Sequence, residues 1–189
     1  MFQTEKSDFR KLLCLLIFFI LLFGIAIFVF LQMGKKEKNP NLLKFSAQSD
    51  SISLHNMLPL SDEIGKKIES DGDNSSYYDF SIQSLSTHSM DYEIYLVREG
   101  NKNRLEPEYI KLYLTDKNNI PLKGFEGKKI PTFHDLRVAS TDIDGRLVYS
   151  GTISPKKTLQ FRLRIWLSDT YIITSDEKIF QSKLKVKVK

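Results

Sequence analysis

Between Leu12 and Met33 the chain is apolar without interruption: no Asp, Glu, Lys or Arg falls in the stretch, and Gln32 is its first strongly polar side chain. At a helical rise of about 1.5 Å per residue, such a segment matches the roughly 30 Å hydrocarbon core of a bilayer. A soluble helix would carry a polar face recurring every three or four positions. The pattern therefore predicts one N-terminal transmembrane helix. A cleaved signal peptide would have a shorter apolar run of about 7–15 residues ending in small side chains. This run instead closes on Phe28, Val29, Phe30, Leu31, Gln32 and Met33, which predicts an uncleaved anchor.

From Leu42 the apolar period changes to two, the mark of half-buried strands. Along Leu159 to Leu167, the residues Leu159, Phe161, Leu163, Ile165 and Leu167 share one face, with Gln160, Arg162, Arg164 and Trp166 on the other. From Phe180 to Val188, the residues Phe180, Ser182, Leu184, Val186 and Val188 alternate with lysines. Further strands are expected at Leu42 to Ala47, Ser51 to Asn56, Tyr78 to Leu85, Asp91 to Arg98, Tyr109 to Thr115 and Arg146 to Ile153. Turn residues separate them: the Asp71 to Asn74 loop, Glu99-Gly100-Asn101, the Asp144-Gly145 pair and Ser154-Pro155. Residues 116–143, broken by Pro121, Gly124, Gly127 and Pro131, read as a long connection across one end, with a short strand near Phe133. Eight strands without an amphipathic helix predict an all-β domain, a jelly-roll-like or immunoglobulin-like β-sandwich. The expected organisation is a cytoplasmic lead at 1–11, the span at 12–33, a charged stalk at 34–41 and the sandwich at 42–189.

Composition sharpens this picture only modestly. The 189-residue chain has a formal charge of +5, and Lys6, Arg10 and Lys11 against Glu5 and Asp8 account for one unit of it. Acidic residues are interspersed throughout, so nucleic acid is not an expected partner. The single cysteine, Cys14, lies within the apolar run, which leaves the sandwich without an internal disulfide. No small-residue lipobox surrounds Cys14, and it reads as an inert, lipid-facing thiol. Lys35, Lys36, Lys38 and Lys44 after the span balance the three basic residues before it, so charge alone does not orient the anchor.

Candidate chemistry is sparse. His55, His88 and His134 lie in separate segments without zinc-ligand spacing. No serine sits in a Gly-x-Ser-x-Gly elbow, and no enzyme activity or cofactor is expected. The pairs Asp71 with Asp73 and Asp142 with Asp144 resemble fragments of calcium loops. Counting twelve positions from Asp71 or Asp142 reaches Ile82 or Ile153 rather than the bidentate glutamate such a loop needs, so both read first as turns. The row Lys183, Lys185, Lys187 and Lys189 admits two readings: a face for anionic lipid or a cell-wall polyanion, or charges that protect a sheet edge. Arg162 and Arg164 beside Trp166 are expected on a solvated face, with guanidinium stacked on indole.

Several short motifs resemble those of the TasA and camelysin type of Gram-positive surface protein. They are the run from Ile52 to Gly65 with its Pro59-Leu60-Ser61-Asp62, the Tyr78-Asp79-Phe80-Ser81-Ile82 strand and the Tyr92-Glu93-Ile94-Tyr95-Leu96 strand. The Tyr109 to Leu112 and Phe161 to Leu167 strands follow the same plan, so the resemblance spans about residues 50–188. It implies an exported jelly-roll sandwich, with the domain outside the cell membrane, and a structural or interaction role in an envelope or biofilm matrix through strand exchange between subunits. The candidate exchange segment is Asn41 to Ala47, whose apolar residues are Leu42, Leu43 and Phe45. The anchor departs from the fibre-forming members, and nothing supplies the ligands of a peptidase. The expected partners are therefore the membrane and a second copy or another envelope protein. The alternative is a monomeric surface module binding a glycan or protein through aromatics such as Tyr77, Tyr149 or Trp166.

Overall fold

A computed structural model describes residues 19–27, 42–47, 51–54, 58–69, 76–100, 105–139, 145–173 and 178–189. The chain divides into two units, Met1–Glu37 and Lys38–Lys189. In the first, residues 19–27 are helical. Among the described residues no helix is long and apolar enough to cross a membrane; the remainder of the Leu12 to Met33 stretch lies outside them.

The second unit is built from strands β1 (Leu43–Ala47), β2 (Ile52–Leu54), β3 (Pro59–Leu60), β4 (Ser76–Ser84), β5 (Met90–Arg98), β6 (Ile110–Asp116), β7 (Arg137–Val138), β8 (Arg146–Ile153), β9 (Thr158–Ser168) and β10 (Phe180–Val188). The first sheet runs β1, β4, β9, with β6 on the far side of β9 and β3 extending the β4 side. In the second sheet the order is β2, β10, β5, β8, β7. All pairings are antiparallel except β3 with β9, where Pro59 lies opposite Leu167 and Leu60 opposite Ser168. Consecutive long strands change sheet: β4 passes to β5, β5 to β6, and β8 to β9. Each inner face is thereby supplied by segments distant in sequence.

The period-two pattern explains the core. Tyr78, Phe80 and Ile82 of β4, Phe161, Leu163 and Ile165 of β9, and Tyr92, Ile94 and Leu96 of β5 all belong to one buried cluster. Phe80 stacks on Phe161 at 5.1 Å, and Tyr92 meets Phe161 edge-on at 6.3 Å, which joins the two sheets through aromatic contact. An extra residue, Val148, interrupts the β5–β8 register, because Ile94 pairs with Tyr149 and Tyr95 with Leu147. The all-β sandwich expected from periodicity is the observed architecture of this unit.

Two expectations need correction. The connection after β6 does not cross an end of the sandwich; it runs back along the outer edge of β6. Leu122 donates its N–H to the Leu114 carbonyl, Leu112 to that of Pro131 and Phe133 to that of Ile110. Buried Phe125, Ile130 and Phe133 hold this connection down, and an otherwise open sheet edge is covered. Near Phe133, where a short strand was expected, the chain makes an isolated bridge, Thr132 with Lys111, and the two-residue strand lies further on at Arg137–Val138, where it starts a hairpin with β8. β10 pairs with β2 over Phe180–Ser182 and with β5 over Ser182–Val188, so Lys183, Lys185 and Lys187 fall beyond the stretch that β2 covers.

Candidate functional site

The outer face of the first sheet holds the densest polar arrangement. Alternation turns Tyr77, Asp79 and Ser81 of β4, Gln160, Arg162, Arg164 and Trp166 of β9, and Thr115 of β6 away from the core. Gln160, Arg162, Arg164 and Trp166 were expected to be wet. Instead Trp166 is fully buried and Arg164 is 2% exposed. The cover is the segment that follows β3. A four-residue helix, Asp62–Gly65, and the turn to Ile68 cross this face. Gly65 lies so close to the indole that a Cβ there would come within 2.2 Å of Trp166 Cε2, which explains why glycine stands at this position. A salt bridge from Lys111 to Asp62 at 3.5 Å fastens the start of the helix to β6.

Arg164 ties three pieces together. Its Nε donates to the Ile68 carbonyl at 2.7 Å, Nη1 to Thr115 Oγ1 at 3.3 Å and Nη2 to Asn119 Oδ1 at 2.7 Å. Burial, reinforced by the adjacent Arg162, pulls its pKa below the usual guanidinium value. Arg162 forms a two-point pair with Asp79 at 3.0 and 3.3 Å and donates Nη1 to Asn119 Oδ1 at 3.0 Å. The hydrogen bond to Asp79 raises its pKa. Asn119 receives both arginines from a left-handed backbone conformation, φ 64°, which asparagine tolerates better than most side chains. The turn is fixed by Asp116 Oδ1, which accepts from the N–H groups of Asn118 and Ile120. Both guanidinium groups lie over Tyr77, at 4.8 Å for Arg162 and 5.7 Å for Arg164, rather than over the indole.

Beside this network lies an open groove of about 420 Å³. Asp79, Ser81, Gln160 and Arg162 line it, with Ser46 at the end of β1 and Lys117 from the turn after β6. It offers hydrogen-bond donors and acceptors of both charges without a general acid–base pair or a nucleophile with its base. Among the described residues no group of three or more His, Cys, Asp or Glu side chains is arranged to hold a metal ion.

The edge strand β1 borders this groove. It pairs antiparallel with β4 from Leu43 opposite Ser84 to Ala47 opposite Phe80. Leu43, Phe45 and Ala47 pack against the core while remaining only half-buried, and the Phe45 ring sits 5.9 Å from Phe80. Leu42 is half-buried just before the strand and accepts a hydrogen bond from Leu85 N–H. The exchange candidates Leu42, Leu43 and Phe45 thus occupy one edge and one apolar face.

The lysine row lies on the outer face of the second sheet. Lys183 meets Glu99 at 3.5 Å, and Lys189 and Arg137 approach Glu93 at 3.8 and 3.9 Å. Lys185 is exposed and stands opposite Tyr95, with Lys187 opposite Glu93. Tyr95 donates to Glu93 at 2.5 Å, and burial together with that bond pushes its pKa up to about 12. Asp71, Asp73, Asp142, Asp144 and His55 all lie outside the described residues. His88 and His134 sit in different exposed loops and are not brought together. Sequence reasoning missed Asp79 and Asn119. The only advance signal was the turn composition of Asp116 to Asn119.

Compared with known proteins, the chain matches no protein family and no characterised protein. The resemblance to TasA and camelysin therefore rests on the short strand motifs.

Proposed function

We propose that the chain is a single-pass membrane protein whose β-sandwich is displayed outside the cytoplasm, where it joins another copy by exchanging β1, as a structural or interaction element of a cell envelope or matrix. The apolar run from Leu12 to Met33 supports the anchor. One observation carries the exchange: β1 is a five-residue edge strand, first in the sandwich, with Leu43, Phe45 and Ala47 only half-buried against the core. An edge strand bound mainly by one row of main-chain hydrogen bonds is the element that a second copy can replace at the lowest cost.

Locking β1 at home tests this. Ser46 and Ser81 face each other across β1 and β4, and antiparallel partners lie within disulfide range. In a Cys14→Ser background, a Ser46→Cys/Ser81→Cys chain in detergent should stay monomeric when oxidised and associate with rising concentration when reduced. Equal association in both states would defeat the exchange reading.

The groove favours a second reading, a surface module that holds a glycan through Arg162, Asp79 and Gln160. Trp166 drops out of that reading as a stacking residue because it is buried. Binding on a glycan array that Gln160→Ala reduces, by a chain that remains monomeric, would select this reading over exchange.

A further inference from the structure

The sandwich is electrically polar along its length. Strand directions put the start of β1, the β4–β5 loop, the β8–β9 turn and the end of β10 at one end. Described segments 42–44, 85–90, 154–158 and 187–189 there contain Lys44, Lys156, Lys157, Lys187 and Lys189, with His88; their acidic neighbours are Asp91, Glu93, which Lys189 approaches, and Asp116 at the end of β6. The turn is well made: Lys156 adopts φ 56° and donates its ammonium to the Leu85 carbonyl, while Ser84 N–H bonds the Lys157 carbonyl at 2.8 Å. Among these lysines stands one large apolar side chain, Leu85, 42% exposed. At the opposite end the described loops carry Glu99, Glu106, Glu108, Asp135 and Asp169. Lys178 pairs with Glu106 there.

We propose that the lysine-rich end docks on an anionic lipid surface, with Leu85 entering the headgroup layer. The inference deepens the anchored reading and rests on it. Charge complementarity selects lipid: several ammonium groups on flexible stems, more numerous than the carboxylates beside them, and a single apolar tip match a negatively charged bilayer interface. Each lysine held near such a surface contributes roughly a five-fold gain in association, an effect that fades beyond a Debye length of about 8 Å at physiological salt. Docking would also turn the acidic end, with its exposed Ile172 and Ile173, away from the lipid.

The test uses the full chain with phosphatidylcholine vesicles and with vesicles containing an equal share of phosphatidylglycerol, read by flotation and by hydrogen exchange. The proposal expects the chain to float with both. It also expects the 85–89 and 154–158 loops to exchange several-fold more slowly in the anionic vesicles, with residues 169–173 unchanged. Lys44→Glu/Lys157→Glu, which reverses two exposed side chains, should abolish the slowing. Lys128→Glu/Lys129→Glu, which changes net charge equally on another part of the surface, should preserve it. Flotation with both lipids but identical loop exchange would overturn docking and leave the anchor standing. Flotation with anionic vesicles alone would support docking and defeat the anchor. Flotation with neither would defeat both.

Discussion

Gly65 and Arg164 carry the clearest single-residue consequences. In a helix interior alanine is favoured over glycine by about 1 kcal/mol, yet a methyl group at Gly65 would drive into the Trp166 ring. Overpacking of this kind costs about 1–3 kcal/mol. Gly65→Ala should therefore lower the melting temperature, and the Trp166 emission should shift to the red as the covering segment lifts. Arg164→Ala strands the Ile68 carbonyl and Thr115 Oγ1, while Asn119 Oδ1 keeps its bond from Arg162. At about 1–3 kcal/mol for each buried group left unsatisfied, denaturant melts should record a loss of at least about 2 kcal/mol. Arg164→Lys should recover only part of it, because one ammonium cannot span the three acceptors that the guanidinium fork reaches. Tyr95 contributes to the alkaline behaviour, alongside Tyr92, whose pKa burial raises further. The Tyr95 pKa lies at about 12 in the fold against 10.0 unfolded, so the unfolded chain releases this proton first. The stabilisation is intact below pH 10 and drains away as pH rises towards 12. Denaturant melts across that window should show the decline, and Tyr95→Phe should make it shallower.

The elements differ in how firmly they are held. Phe161 lies in the middle of the core, in contact with Phe80, Tyr92 and Tyr149. Phe161→Ala should cost the about 3–5 kcal/mol of a fully buried ring. Phe45→Ala, at the half-buried edge, should cost clearly less. Native-state hydrogen exchange should likewise find β1 opening more readily than β4 or β9, which is the local freedom that strand exchange requires. The long strands were legible because one wet and one dry face write themselves into the sequence. β8 and β10 fall where alternation put them, and β9 departs from expectation by one residue at each end. The two-residue strands β3 and β7 were not legible, since two residues carry no period. The outer face of β9 was misread for a related physical reason. Alternation reports which side of a sheet a residue occupies, but not whether a distant segment such as Asp62–Gly65 lies across that side. Arg164 and Trp166 consequently resembled solvated residues, and the Arg164–Asn119 network depended on a fold contact between positions 45 apart.

For the whole molecule, the reading combines an apolar run suited to a bilayer, a sandwich that follows a short stalk and an edge strand positioned for exchange. Protease added outside intact cells should remove the sandwich and leave a membrane-bound fragment; complete protection would put the domain on the other side and rule out an envelope role. The most direct measurement of the central claim mixes two full-length chains in a Cys14→Ser background, one carrying Ser46→Cys and the other Ser81→Cys. Under oxidation neither chain can close its own β1–β4 pair, so a cross-linked heterodimer requires β1 of one copy to lie against β4 of another. The account predicts that this heterodimer accumulates in excess of either homodimer. Its absence, under conditions where the Ser46→Cys/Ser81→Cys double variant closes readily within one chain, would contradict strand exchange.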